Sequence, residues 1–264
     1  MKMKRLLTLC LLLTLGFPWG SAGQQEAPLR ICLISGSVEY ESDVSLTQFQ
    51  VHLEKNFNVE CTLLKAQGRL TRRGEHDTLP GLEALEASDV AVFFTRRVTI
   101  AGEQLEQIKK YCLAGRPLVA VRTASHGFQN WLEFDREVLG GNYQGHEPSA
   151  TTPVTYHPVM AQFHPVLDGV SVFRSPYTLY KTSPLAEDAK LLMEGTSQGK
   201  AEGKSGGGRE PAVWTRTYKG ARVLYTAMGG REDFENPVFL RLLTNAVFWT
   251  ARREVDRKRE VEKK

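Results

Sequence analysis

The chain has 264 residues, of which 41% are hydrophobic and 24% charged, and its formal net charge is +4. A chain of this length can bury a sizeable core and suits one large domain or two small ones. The positive excess is modest and forms no basic stripe with interleaved aromatics, which argues against a nucleic-acid partner.

Residues Met1 to Arg5 carry Lys2, Lys4 and Arg5, Leu6 to Phe17 are almost wholly apolar, and Gly20 to Gly23 are small. That order of charged, apolar and small segments predicts a secretory signal peptide over residues 1–22, and hence an exported protein, periplasmic or extracellular. The apolar run is shorter than the roughly 20 residues a spanning helix needs, so no stable membrane span is expected once the signal is cleaved. Cys10 lies inside the run, not at its end, so a lipoprotein is not read. Cys32, Cys61 and Cys112 remain. An odd, sparse count is no disulfide framework. Buried thiols are expected, with a Cys32–Cys61 bridge as the alternative.

The first half alternates. Leu29–Ser35 reads as a buried strand, Ser45–Phe57 as a helix with Ser45 as its cap, and Val59–Ala66 as a second strand. A polar loop with Arg69, Arg72, Arg73, Glu75, His76 and Asp77 leads through a short helix to a third strand, Asp89–Phe94. Glu103–Ala114 is amphipathic and closed by Gly115, and Pro117–Val121 is a fourth strand. Alternation of near-continuous apolar strands with helices predicts a parallel sheet covered on both faces, with right-handed crossovers and these four strands at its centre.

The second half is less regular. A short helix is expected over Trp131–Gly141. Candidate strands are Thr151–His157, Leu179–Ser183, Ala189–Gly195, Pro211–Tyr218 and Arg222–Met228, several of them alternating. Ser197–Glu210 is Gly-rich and reads as a flexible surface loop. Pro237–Arg252 is a final amphipathic helix, and residues 253–264 form a tail of mixed charge. No repeat or long linker appears, so residues 29–252 are assigned to one domain.

In an open parallel sheet, ligands bind beyond the carboxyl ends of the strands. The segments "SGSVEYES", "FTRR" and "RTASHGF" should meet there, joined by "GGNYQGHE", "YHPVMAQFHPV" and "MGGREDF". The turn after the fourth strand is where a nucleophile elbow would lie, but it holds neither a Cys nor G-x-S-x-G. Thr123 is expected to satisfy turn amides. Ser125 stays a candidate nucleophile that would need a positioned base. Arg122, following four apolar residues, needs a polar or anionic partner, either an internal carboxylate or a substrate. His126, His146, His157 and His164 fall in the segment after this strand, but their spacing is no compact metal signature. The cofactor is unknown: no metal ligand is assigned, and a divalent metal is left open without support from spacing.

The segments "LGGNYQGH", "HPVLDG", the strand pair W-x-x-x-Y-K-G-A-R-V and "NPVFLRLLTNAVFWTA" occur in one order across Leu29 to Arg252. In this the chain resembles the ThuA-like, or trehalose-utilisation, family. The resemblance implies a flavodoxin-like three-layer α/β sandwich of the class I glutamine amidotransferase-like superfamily, with a mostly parallel central sheet. Relatives in that superfamily use a Cys at the elbow. Here Arg122-Thr123-Ala124 stand in its place and Cys112 belongs to the preceding helix, so amidotransferase activity is not implied. Many family members carry His where this chain has Ser37 to Tyr40, Arg122 and Arg231, which marks a divergent branch.

The resemblance points to carbohydrate metabolism, with a disaccharide or keto-sugar derivative as substrate. On that reading Arg122, His126, His146 and Asp233 form the catalytic set, with Asp233 pairing with Arg122 or orienting a His. A His or carboxylate would supply general acid or base. Glu39, Tyr40, Ser125, Trp131 and Tyr143 would hold the polyol. The alternative is a non-catalytic carbohydrate-binding or accessory protein with a degenerate site. A small-molecule carbohydrate is the expected partner, and nothing in the pattern excludes a homo-oligomer.

Overall fold

A computed structural model describes residues 27–69, 76–147, 153–159, 164–197 and 208–255. The segment read as a signal, most of the Gly-rich loop and most of the charged tail lie outside the described residues. No helix among the described residues is long and apolar enough to cross a membrane.

The alternating first half folds as β1 (Leu29–Gly36), α1 (Ser42–Asn56), β2 (Val59–Lys65), α2 (Glu83–Ala87), β3 (Val90–Thr95), α3 (Glu103–Leu113) and β4 (Leu118–Val121). The second half holds β5 (Val154–Pro158), β6 (Phe173–Ser175), β7 (Lys190–Thr196), β8 (Arg209–Tyr218), β9 (Ala221–Thr226) and α4 (Pro237–Thr250). All nine strands form one sheet in the order β2-β1-β3-β4-β9-β8-β7-β5-β6. Phe49 and Leu53 of α1 pack with Leu242 and Val247 of α4 on one face. Leu85 of α2 and Ile108 of α3 pack on the other. The three-layer α/β arrangement is therefore as expected.

The sheet itself corrects the expectation of a mostly parallel core. The pairs β1–β2, β1–β3, β3–β4 and β4–β9 are parallel. The pairs β5–β6, β5–β7, β7–β8 and β8–β9 are antiparallel. The sheet is mixed, and the first four strands make one half of it rather than its centre. The cause is local at β8–β9. Only Lys219 and Gly220 join these strands, both at positive φ (50° and 84°). A two-residue turn of that kind can only reverse the chain into an antiparallel hairpin.

Several local expectations also shift. Ser45 is not the cap of α1: the helix begins earlier, behind Glu41, and Ser45 is buried within it. Trp131–Gly141 forms only a single wide turn, Asp135–Leu139, because Gly140 takes φ 73° and ends it. Leu179–Ser183 is not a strand, although Tyr180 makes one isolated bridge to His146. The three-residue β6 had no counterpart in the sequence reading.

The Cys32–Cys61 bridge is excluded by register. Cys32 pairs with Thr62 and Cys61 with Ile31, so the two thiols point into opposite layers. Cys112 lies on the buried face of α3 with Leu105, Ile108 and Tyr111, and burial pushes its thiol up to about 12. Cys32 is raised to about 12 by the same cause. Neither thiol is expected to react with iodoacetamide in the native protein near neutral pH, while both label on unfolding. Mass spectrometry of the labelled chain reads this directly, and rapid native labelling at Cys112 would contradict the placement.

Candidate functional site

The polar turns that follow β1, β3, β4 and β9 lie at the carboxyl ends of those strands. β4 delivers Arg122, whose backbone takes φ 45° as the chain enters a tight turn over Arg122–His126. Its guanidinium is wholly buried. Nη1 donates to the Ala227 carbonyl at 2.8 Å, and Nη2 donates to the Tyr40 hydroxyl at 3.1 Å and the Thr178 carbonyl at 3.4 Å. The rings of Tyr40, Tyr177 and Tyr180 stand 4.6, 5.0 and 4.5 Å from its central carbon. The partner that a buried Arg requires is thus a tyrosine cage, in which ring faces attract the cation.

Asp233 does not pair with Arg122. Its Oδ2 accepts the amides of Gly229 at 2.9 Å and Gly230 at 3.0 Å, tying its own turn. The two amides lie four and three residues upstream in the same turn, so the carboxylate serves its own loop. Burial pushes this carboxyl up, opposed by the Gly229 amide, the Ser175 hydroxyl and Arg122. Thr123 also departs from expectation: its hydroxyl donates to Ser37 Oγ at 3.2 Å, linking β4 to the end of β1.

His126 is buried with its ring stacked on Tyr143, centroids 4.3 Å apart and planes within 16°. Its Nδ1 lies 3.1 Å from Ser125 Oγ, which also approaches the Arg122 carbonyl at 3.3 Å. Burial, then the charges of Arg97, Arg96 and Arg122, push the imidazole down to about 3. A ring held neutral in this way is a weak base toward the Ser125 hydroxyl.

Ser125, His126 and Tyr143 line an open cavity of about 300 Å³ with Arg97, Glu133, Asp135, Arg136 and Asn142. Glu39 and Tyr40 line a separate recess of about 240 Å³ together with Tyr177, Arg231 and Glu232. Arg96 closes against Glu39 at 2.6 Å, and Tyr177 donates to Glu232. His146 is exposed; it faces Tyr180 across 6.4 Å, and its Nδ1 lies 2.7 Å from the Glu147 carbonyl. Both His126 and His146 therefore flank Tyr180. Trp131 packs on Phe134 (5.0 Å) and Phe128 (6.2 Å) in the core beside α3 and lines neither recess. His157 and His164 also stand apart, on β5 beside Thr196 and against Trp249. Among the described residues, no group of three or more His, Cys, Asp or Glu is arranged to hold a metal ion.

Asp135 was missed by the sequence reading. It is buried, its Oδ2 accepts the Tyr143 amide at 2.7 Å, and its Oδ1 has no partner. The available signal was a carboxylate directly after Phe134 in the frame Phe134-x-x-x-Val138-Leu139, ahead of Gly140-Gly141.

A three-layer α/β domain with an arginine-lined aromatic cleft beyond its parallel strands defines the general class. The family model described as ThuA, trehalose utilisation, matches residues 37–250, and the chain belongs to that family. Among solved structures, a ThuA-like protein from Parabacteroides merdae superposes with TM-score 0.64 at 18% identity, covering 89% of this chain and 94% of that one. A ThuA-like protein from Bacteroides uniformis gives TM-score 0.62 at 20% identity, covering 89% and 95%. A cytoplasmic protein from Salmonella typhimurium gives 0.52 at 14%, covering 87% and 100%. No curated protein matches the chain.

Proposed function

We propose that this chain is an exported carbohydrate-handling member of the ThuA family whose ligand is a disaccharide or keto-sugar derivative. The observation that supports this is the cavity of about 300 Å³ walled by the Tyr143–His126 stack. A flat aromatic wall offers the apolar faces of a sugar ring a surface, and Arg97, Asp135, Arg136 and Asn142 offer its hydroxyls donors and acceptors. The family supports a role related to trehalose utilisation.

A second reading, binding without turnover, has its own support. Arg122 is enclosed by tyrosines, Asp233 is consumed by its turn, and His126 is held neutral. Titration of the protein with trehalose, other disaccharides and their keto derivatives, with products followed by NMR, separates the readings. Binding with product identifies an enzyme, binding without product an accessory protein, and no binding across the panel removes both. Tyr143→Ala is expected to weaken sugar binding about 10-fold, the equivalent of ~1.4 kcal/mol, while Trp131→Phe leaves affinity unchanged. Export is tested by expressing the full chain and sequencing the N-terminus of the secreted form, expected to begin after the residue 22 boundary.

A further inference from the structure

We propose that Asp135 is the positioning residue of this pocket: its carboxyl seats Tyr143 against His126 and so builds the wall on which a sugar stacks. The stacking consequence rests on the carbohydrate reading above; the seating itself does not. Asp135 opens the one turn among the described residues wound with the wide i→i+5 pattern, a form frequent at functional sites. The turn aims its carboxyl at the loop that follows. Oδ2 takes the Tyr143 amide at 2.7 Å, and the Tyr143 ring lies 4.3 Å from the His126 ring. Gly141 permits this approach, since a Cβ there would stand 2.4 Å from Oδ1. Oδ1 is left buried without a partner.

The charged and titratable groups facing Asp135 are Arg136 on its own turn, Tyr143 on the following loop, Tyr225 from β9, and His126, Arg97 and Glu133 around the shared cavity. Burial pushes the carboxyl up to about 6, with the Tyr143 amide and Arg136 opposing it. An ionised carboxylate accepts an amide more strongly than the neutral acid does. The seat is therefore firm above this value and loosens below it.

The test uses the full chain without ligand first. The Asp135 carboxyl carbon and the Tyr143 amide are followed by NMR between pH 4 and pH 8. A common midpoint near 6, absent from the Tyr143 amide in Asp135→Asn, is the expected result. Independent midpoints, or a Tyr143 step that survives in Asp135→Asn, overturn the proposal. If that variant does not fold, the wild-type midpoints alone decide. Trehalose titrations then read the consequence: wild-type affinity is expected to fall about 10-fold from pH 7 to pH 5 and that of Asp135→Asn to stay flat. A shared NMR midpoint with no trehalose binding at either pH leaves the seat standing and removes the carbohydrate reading. Binding with no pH dependence overturns the coupling of seat to ligand.

Discussion

Arg122→Ala is expected to lower the unfolding free energy by roughly 3–5 kcal/mol, as for truncation of a large, fully buried side chain. The change empties a cage of three tyrosines and leaves the Ala227 and Thr178 carbonyls without their donor. Arg122→Lys is not expected to rescue it, because an ammonium lacks the planar fork that serves two carbonyls and a hydroxyl together. Urea unfolding of the two variants measures the effect. Wild-type stability in Arg122→Ala would show that the cage contributes nothing and would return Arg122 to the role of a substrate-facing cation.

Asp135 and His126 are expected to drive stability in opposite directions with pH. The folded carboxyl of Asp135 lies at about 6, above its ordinary 3.8. Its stabilising contribution is present below 3.8 and is lost as pH rises through about 6. The folded imidazole of His126 lies at about 3, below its ordinary 6.5, so its contribution is present above 6.5 and is lost as pH falls toward about 3. Each slope is about 1.4 kcal/mol per pH unit, and between about pH 4 and pH 6 they cancel. Asp135→Asn removes one slope, and that variant is expected to lose roughly 3 kcal/mol relative to wild type on going from pH 6 to pH 4. His126→Gln is expected to show the reverse, gaining stability relative to wild type over the same window. Other buried groups titrate alike in all three proteins and drop out of the comparison. Parallel stability curves for wild type and both variants would defeat the assignment.

The first half of the fold was legible because its strands are short apolar runs and its helices carry apolar residues at helical spacing. Leu105, Ile108, Tyr111 and Cys112 face the sheet as read. Parallelism beyond β4 was not legible, because a strand's own sequence does not name its neighbours. Lys219-Gly220 was the local clue that β8 must reverse into β9. Some of the polar turns meet, since Ser125, His126 and Tyr143 share one cavity, whereas Glu39 and Tyr40 line another and His157 and His164 lie apart. What failed was the assignment of partners. Asp233 found amides in its own turn before any Arg, and Trp131 found Phe128 and Phe134 before any ligand. Asp135 was hidden inside a segment read as an ordinary helix. Only its unusual winding turns that side chain toward the Tyr143 amide.

The junction of β4 with β9 bears on the order in which the molecule is assembled. Leu118 to Val121 pair with Val223 to Thr226, and Arg122 bonds to Ala227 across 105 positions of chain. Contacts so distant in sequence form late, after shorter loops have closed. Until β9 arrives, β4 presents an unpaired apolar edge, a surface prone to join another chain. The tyrosine cage draws on both sides of this seam, with Tyr40 from the early turns and Tyr177 and Tyr180 from the later ones. A nascent chain ending before β9 therefore already holds every residue that lines the His126–Tyr143 cavity, but it lacks the strand that covers β4 and the Ala227 carbonyl that fixes Arg122 in its cage.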